Sequence, residues 1–286
     1  DEGKEILFKM LADADVFIEA SKGGTWARKG ITDEVLWEIN PKLVIVHLSG
    51  FGQSGDPKMV KRAAYDLTVM AYSGYMSQNG TQEQPMNPGP YAGDYFNSLM
   101  IVSSTLAALH KANRTGKGES IDLAMYETLL AIGQYYLVDY LNEGILWPRP
   151  GARNQNLCGI GEYKCNDGFL GVCLYGVDQN KYFLETIGLG HLWGTEDIPE
   201  DTSGLWLANP HAAEIEAAFE AYCLEHSKYE IEADFAAHRI AAQVVMEFED
   251  LVKEEHLKLR EDFMDWESEY GKTFKGLGVY PKFHQS

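Results

Sequence analysis

The chain of 286 residues is 45% hydrophobic and 23% charged, enough for one large globular domain or two ordinary ones with a sizeable core. Its 43 Asp and Glu residues against 24 Lys and Arg leave a formal charge of -19. That balance repels phosphate backbones and anionic lipid and argues against nucleic acid or a membrane surface as partner, although a local basic patch can still take an anionic small molecule.

The first fifty residues alternate in type. Residues 3–14 read as helix and "DVFIEA" (15–20) as a strand; "TDEVLWEIN" (32–40) follows as a helix capped by Thr32, and "KLVIVHLSG" (42–50) as a second strand. Helices alternating with continuous apolar strands predict an α/β fold, a Rossmann-like parallel sheet with helices on both faces. Helix is expected over 62–76 and again over 94–113, where Leu99, Val102, Leu106 and Leu109 recur at helical spacing. The turn "NRTGKGE" (113–119) leads to a strand at 120–127 and a helix at 127–144. "LWPRPGARNQN" has the Pro and Gly content of a linker, which divides a large domain (1–150) from a smaller α+β domain (151–286). In the latter, "GEYKCNDGFLGVCLY" predicts a hairpin turning at Asn166-Asp167-Gly168.

Cys158, Cys165, Cys173 and Cys223 form no CxxC pair and no zinc-type spacing with His, so they read as reduced thiols and no metal is expected. No apolar stretch reaches the roughly 18 residues that span a bilayer and no leader opens the chain, so a cytoplasmic protein is the expectation. The chain opens without Met on a helix-like segment and reads as a piece of a longer fold.

Three stretches carry candidate chemistry. Gly50, Gly52 and Gly55 have the G-x-G-x-x-G spacing of a dinucleotide site, but Asp56-Pro57-Lys58 interrupts where the helix should open, and no strand follows to carry the acidic partner. "SKGGTWARKG" (21–30) is the most basic short stretch and follows a strand, where open α/β sheets bind ligands; Lys22, Arg28 and Lys29 form either a solvated loop or a phosphate-binding lip. "PGPYAGDYFNSLM" (88–100) places Asp94 at a helix start, as a cap or as a catalyst. Tyr91 and Tyr95 flank it, with Tyr72 and Tyr75 upstream; such rings usually pack, and if they line a cleft they suit a cationic ligand.

"DVFIEASKG", "ITDEVLW", "NPKLVIVHLSGFGQ", "TGKGESIDLAMYE", "GEYKCNDG" and "IPE" together resemble the class III CoA-transferase family, in order and across nearly the whole chain. Within that family the resemblance is strongest to members that act on L-carnitine, crotonobetaine and γ-butyrobetaine. It implies reversible transfer of CoA between an acyl-CoA and a betaine carboxylate, with Asp94 in "YAGDYF" as the nucleophile and an aspartyl-CoA thioester as intermediate. It implies coenzyme A contacts at Lys22 and, where the family has arginine, at Lys29. It also implies an interlocked homodimer, further βα units before the start of this chain and a returning segment after its end. The α-methylacyl-CoA racemases share the fold, but the His of their "HD" pair is Tyr65 here, in Tyr65-Asp66. Another carboxylic acid as substrate, or a CoA-binding scaffold without catalysis, are the remaining alternatives.

Overall fold

The structure, a computed structural model, describes residues 2–133 and 135–283, in two units, Asp1–Gln155 and Asn156–Ser286. The first unit runs α1 (Glu2–Leu11), β1 (Val16–Glu19), α2 (Asp33–Ile39), β2 (Val44–Ser49), α3 (Pro57–Val60), α4 (Asp66–Tyr72), α5 (Ala92–Thr115), β3 (Glu119–Ala124), α6 (Met125–Ile132) and α7 (Tyr135–Glu143). Its three strands form a parallel sheet in the order β1-β2-β3.

The apolar run of β2 is explained by burial on both faces. Ile45 packs with Leu11, Ile31, Leu36 and Leu43 on one side, whereas Val44 and Val46 pack with Ala108 and Ala112 of α5 on the other. Side chains alternate across a strand, so a strand covered twice needs apolar residues at every position. Complete burial of Leu36 or Ile45 is worth roughly 1.5–3 kcal/mol each. Thr32 caps α2 as expected, its hydroxyl accepting the Val35 N–H at 3.4 Å.

Three expectations change in detail. The segment 62–76 is not one helix: α3 begins after the Asp56 cap, residues 61–65 run as a connection, and α4 begins at Asp66. The helix expected over 127–144 is described as α6 and α7, with Gln134 outside the described residues. α5 is a helix of 24 residues, but of the stripe that announced it only Leu109 packs toward the sheet. Leu99, Val102 and Leu106 are 57–69% exposed, while Asn97, Thr105, Ala108 and Ala112 are buried. Small residues let the helix approach the sheet closely, with Ile101 and Leu109 packing beside them.

The second unit runs β4 (Ile160–Cys165), β5 (Gly168–Cys173), α8 (Val177–Thr186), α9 (Ala212–Glu225), α10 (Lys228–Ala237), β6 (Ala241–Val244), α11 (Phe248–Leu251), α12 (Glu255–Leu259), β7 (Phe263–Glu267) and β8 (Thr273–Leu277). β4-β5-β6 form an antiparallel sheet, and Cys165 pairs with Gly168 across the Asn166-Asp167 turn, the hairpin read from the sequence. Tyr163, Phe183, Phe219 and Phe235 fill its core. All four cysteines are free thiols. Among the described residues no helix is long and apolar enough to cross a membrane.

Candidate active site

The site lies where an open parallel sheet leaves room for a ligand, beyond the carboxyl ends of its strands. β1 ends at Glu19, and the loop 20–30 with Lys22 follows; β2 ends at Ser49, and the glycine loop 50–55 follows; β3 runs directly into α6. The two loops are locked together. Gly23 N–H donates to Val60 O, and a Cβ at Gly23 would stand 2.5 Å from Gly52 O, so only glycine admits this approach. Gly24 N–H donates to Gln53 Oε1 at 2.9 Å, and the Gln53 backbone N–H in turn donates to the Asp122 carboxylate on β3.

Beneath the first loop sits a charged clamp. His47 Nδ1 is 2.8 Å from Glu19 Oε1 and its Nε2 is 2.9 Å from Asp33 Oδ1. Burial disfavours the charge on His47, but the hydrogen bonds to Asp33 and Glu19 outweigh it and push the imidazole up to about 9. Burial acts to raise Glu19, yet bonding to His47 and Ser21 brings its carboxyl below the usual range; the bond to His47 does the same for Asp33. Because Glu19 Oε2 also accepts the Ser21 N–H at 2.8 Å, the clamp fixes the residue next to Lys22.

A cavity of about 630 Å³ opens beside this loop, lined by Lys22, Arg62, Tyr65, Asp94, Asn97 and Ser98 among others. Asp94 is the third residue of α5, and its backbone N–H is one of those a helix start leaves without an intrahelical acceptor. Tyr91, the residue before the helix, has φ 57° and provides no side-chain cap. Asp66, 7% exposed at the start of α4, provides it instead: its Oδ1 accepts the Asp94 N–H at 3.0 Å. The Asp94 carboxylate caps none of these N–H groups, and among the described residues it takes no hydrogen bond. Partial burial raises it above the ordinary aspartate range, and the nearby Asp66 charge adds to the rise. Asn97 is fully buried below it; Nδ2 donates to Gly93 O and Met125 O, and Oδ1 has no partner among the described residues.

Of the residues singled out in the sequence, Asp94 and Lys22 meet at this cavity and Lys29 does not line it. Lys29 sits on a short 3-10 turn, Ala27–Lys29, with Nζ 5.3 Å from the Trp26 ring centroid. Arg28 is turned back onto Gly23 O and Thr25 Oγ1. The G-x-G-x-x-G stretch leads into the one-turn α3 rather than a helix aimed at a pyrophosphate. Tyr91 and Tyr95 are exposed and absent from the lining, and Tyr72 packs edge-on with Phe51 and Tyr126. Arg62 and Asn97 went unnoticed in the sequence, and no local pattern marks either. Among the described residues no group of three His, Cys, Asp or Glu side chains could hold a metal ion.

Comparison with known structures places this fold in a defined group. A CAIB/BAIF family protein from Brucella suis is similar with a TM-score of 0.79 and 25% identity, over 100% of this chain and 73% of that one. Rv3272 from M. tuberculosis is similar with a TM-score of 0.81 and 20% identity, over 99% of this chain and 74% of that one. The sequence profile of CoA-transferase family III matches residues 1–286. On that match, which spans the full sequence and agrees with the parallel sheet and its helices, the chain belongs to CoA-transferase family III.

Proposed function

We propose that this chain transfers CoA between an acyl-CoA and a carboxylate acceptor through covalent attachment to Asp94. The observation that carries the proposal is the unclaimed Asp94 carboxylate facing a cavity it shares with Lys22 and Arg62, at the carboxyl ends of the strands. A carboxylate oxygen of Asp94 attacks the thioester carbonyl carbon, the C–S bond breaks, and CoA leaves as thiolate from a mixed anhydride. The thiolate attacks the Asp94 carbonyl, which releases the first carboxylate and leaves an aspartyl-CoA thioester. An acceptor carboxylate attacks that thioester and expels the thiolate, which then attacks the acceptor's acyl carbon and restores Asp94. The overall exchange replaces one thioester by another of comparable energy, so the relay is reversible.

Lys22 and Arg62 supply the positive charge that developing oxyanions and CoA phosphates need. Lys29, exposed seven residues beyond Lys22 on the same loop, extends that lip as a second phosphate contact, a point charge where arginine would bind through two parallel bonds. The acceptor is a betaine such as L-carnitine, crotonobetaine or γ-butyrobetaine, a choice supported by the sequence resemblance; the aromatic ring in the cavity is that of Tyr65.

The working protein is a homodimer in this reading. The sequence resemblance supports it, and so does the apolar outer stripe of α5, where Leu99, Val102 and Leu106 are exposed. Exchange of labelled CoA between an acyl-CoA and free acids tests the proposal: Asp94→Asn abolishes exchange without loss of fold, and a variant that keeps a substantial fraction of the rate overturns it.

A further inference from the structure

Asp66 is a buried carboxylate with a single task visible in the fold. It opens α4, is 7% exposed, and reaches across to the N-terminus of α5, where Oδ1 takes the Asp94 amide at 3.0 Å. The space for it is prepared: a Cβ at Gly93 would lie 2.9 Å from Asp66 Oδ1 and 3.2 Å from Met70 Sδ. Two aspartates are thus held side by side, one inside the protein and one at the cavity, with no cation bonded to Asp66 among the described residues. Keeping a buried charge unpaired is costly unless it is hydrogen-bonded, and it persists where it serves a purpose.

We propose that Asp66 is a positioning residue for Asp94, capping the Asp94 amide so that the Asp94 carboxylate stays in the cavity, and setting a negative charge beside it that favours its acylation. This rests on the reading of Asp94 as nucleophile. When Asp94 attacks a thioester, the C–S bond breaks, the new C–O bond forms, and the negative charge departs with the CoA thiolate. Acylation therefore removes one of two neighbouring like charges, and the repulsion present in the resting enzyme is released as the covalent intermediate forms. Among the described residues, the other titratable groups lining the cavity with Asp94 are Lys22 from the loop after β1 and Arg62 and Tyr65 from the connection before α4. These groups are the same in every Asp66 variant, so a difference between the variants reports on Asp66.

The test is the pH profile of CoA transfer for the wild type, Asp66→Asn and Asp66→Ala. Asparagine retains an acceptor oxygen for the Asp94 amide and loses the charge. It should move the acid limb of kcat/KM to lower pH and lower kcat several-fold. Alanine loses the cap as well and should reduce kcat at least tenfold, with KM for the acyl-CoA changed less than twofold. Asp66→Asn folds in any case in which its cap is intact, so its acid limb remains decisive if Asp66→Ala is unstable. An unmoved acid limb and wild-type kcat in Asp66→Asn would overturn the role of Asp66. Asp94→Asn is measured alongside. If it is inactive, such a result condemns only the inference about Asp66; if it still transfers CoA, the nucleophile reading itself is lost.

Discussion

Glu19 and His47 face each other at 2.8 Å on neighbouring strands, and the same glutamate holds the backbone N–H of Ser21, the residue before Lys22. The imidazole ties this pair to Asp33 of α2 through its other ring nitrogen, so sheet, helix and loop meet at one buried imidazolium.

A pH dependence of stability follows. His47 has a folded value of about 9 against 6.5 for the free side chain. Below 6.5 both states are protonated and the clamp contributes fully; above it the folded state alone keeps the proton, and the contribution is lost as pH passes 9. Glu19 and Asp33 are lowered, so their contribution is present above the ordinary carboxylate range and is lost in acid. Thermal unfolding from pH 7 to 10 should show a fall in Tm for the wild type that is absent in His47→Gln. Parallel curves for the two would contradict the clamp.

Lys22→Ala should raise KM for acyl-CoA about tenfold with a smaller effect on kcat, the size expected for one charge-assisted contact of about 1.5 kcal/mol that binds ground and transition states alike. Steady-state kinetics at two ionic strengths checks this, since a phosphate contact weakens with salt. An unchanged KM would return Lys22 to the solvent.

The sheet and the loops at the carboxyl ends of its strands were readable in the sequence because β2 opens on the continuous apolar run Val44–Val46 and because helices alternate with such strands. The existence of α5 was readable from Leu99, Val102, Leu106 and Leu109, but its buried face was not, since periodicity marks two faces without saying which one meets the sheet. Asp94 could be narrowed only to cap or catalyst. The residue that caps its amide is Asp66, 28 positions away in sequence, and a helix capped from another helix leaves no local signature. The partners of His47 escaped for the same reason: Glu19 lies 28 positions away and Asp33 14, and the strand pattern shows a histidine merely interrupting an apolar run.

The outer stripe of α5 supplies a test of assembly. Leu99 and Leu106, 69% and 61% exposed, should be covered in a homodimer. Leu99→Glu with Leu106→Glu should shift the species measured by light scattering toward the mass of one chain, because two buried charges cost several kcal/mol at an apolar interface. A wild type that already runs as one chain would remove the dimer.

The choice of acceptor is tested by competition between γ-butyrobetaine and its neutral isostere with carbon in place of the quaternary nitrogen. One desolvated cation–π contact of about 1–2 kcal/mol predicts a preference of roughly tenfold in kcat/KM for the betaine. Equal rates would keep CoA transfer and remove the betaine.

The most direct measurement is the mass of the peptide that carries Asp94 after the protein is mixed with acyl-CoA and quenched during turnover. Covalent transfer through Asp94 predicts that this peptide gains the mass of CoA joined as a thioester, that hydroxylamine releases it, and that Asp94→Asn shows none. Turnover with CoA attached to a different residue, or with Asp94 unmodified throughout, would contradict it.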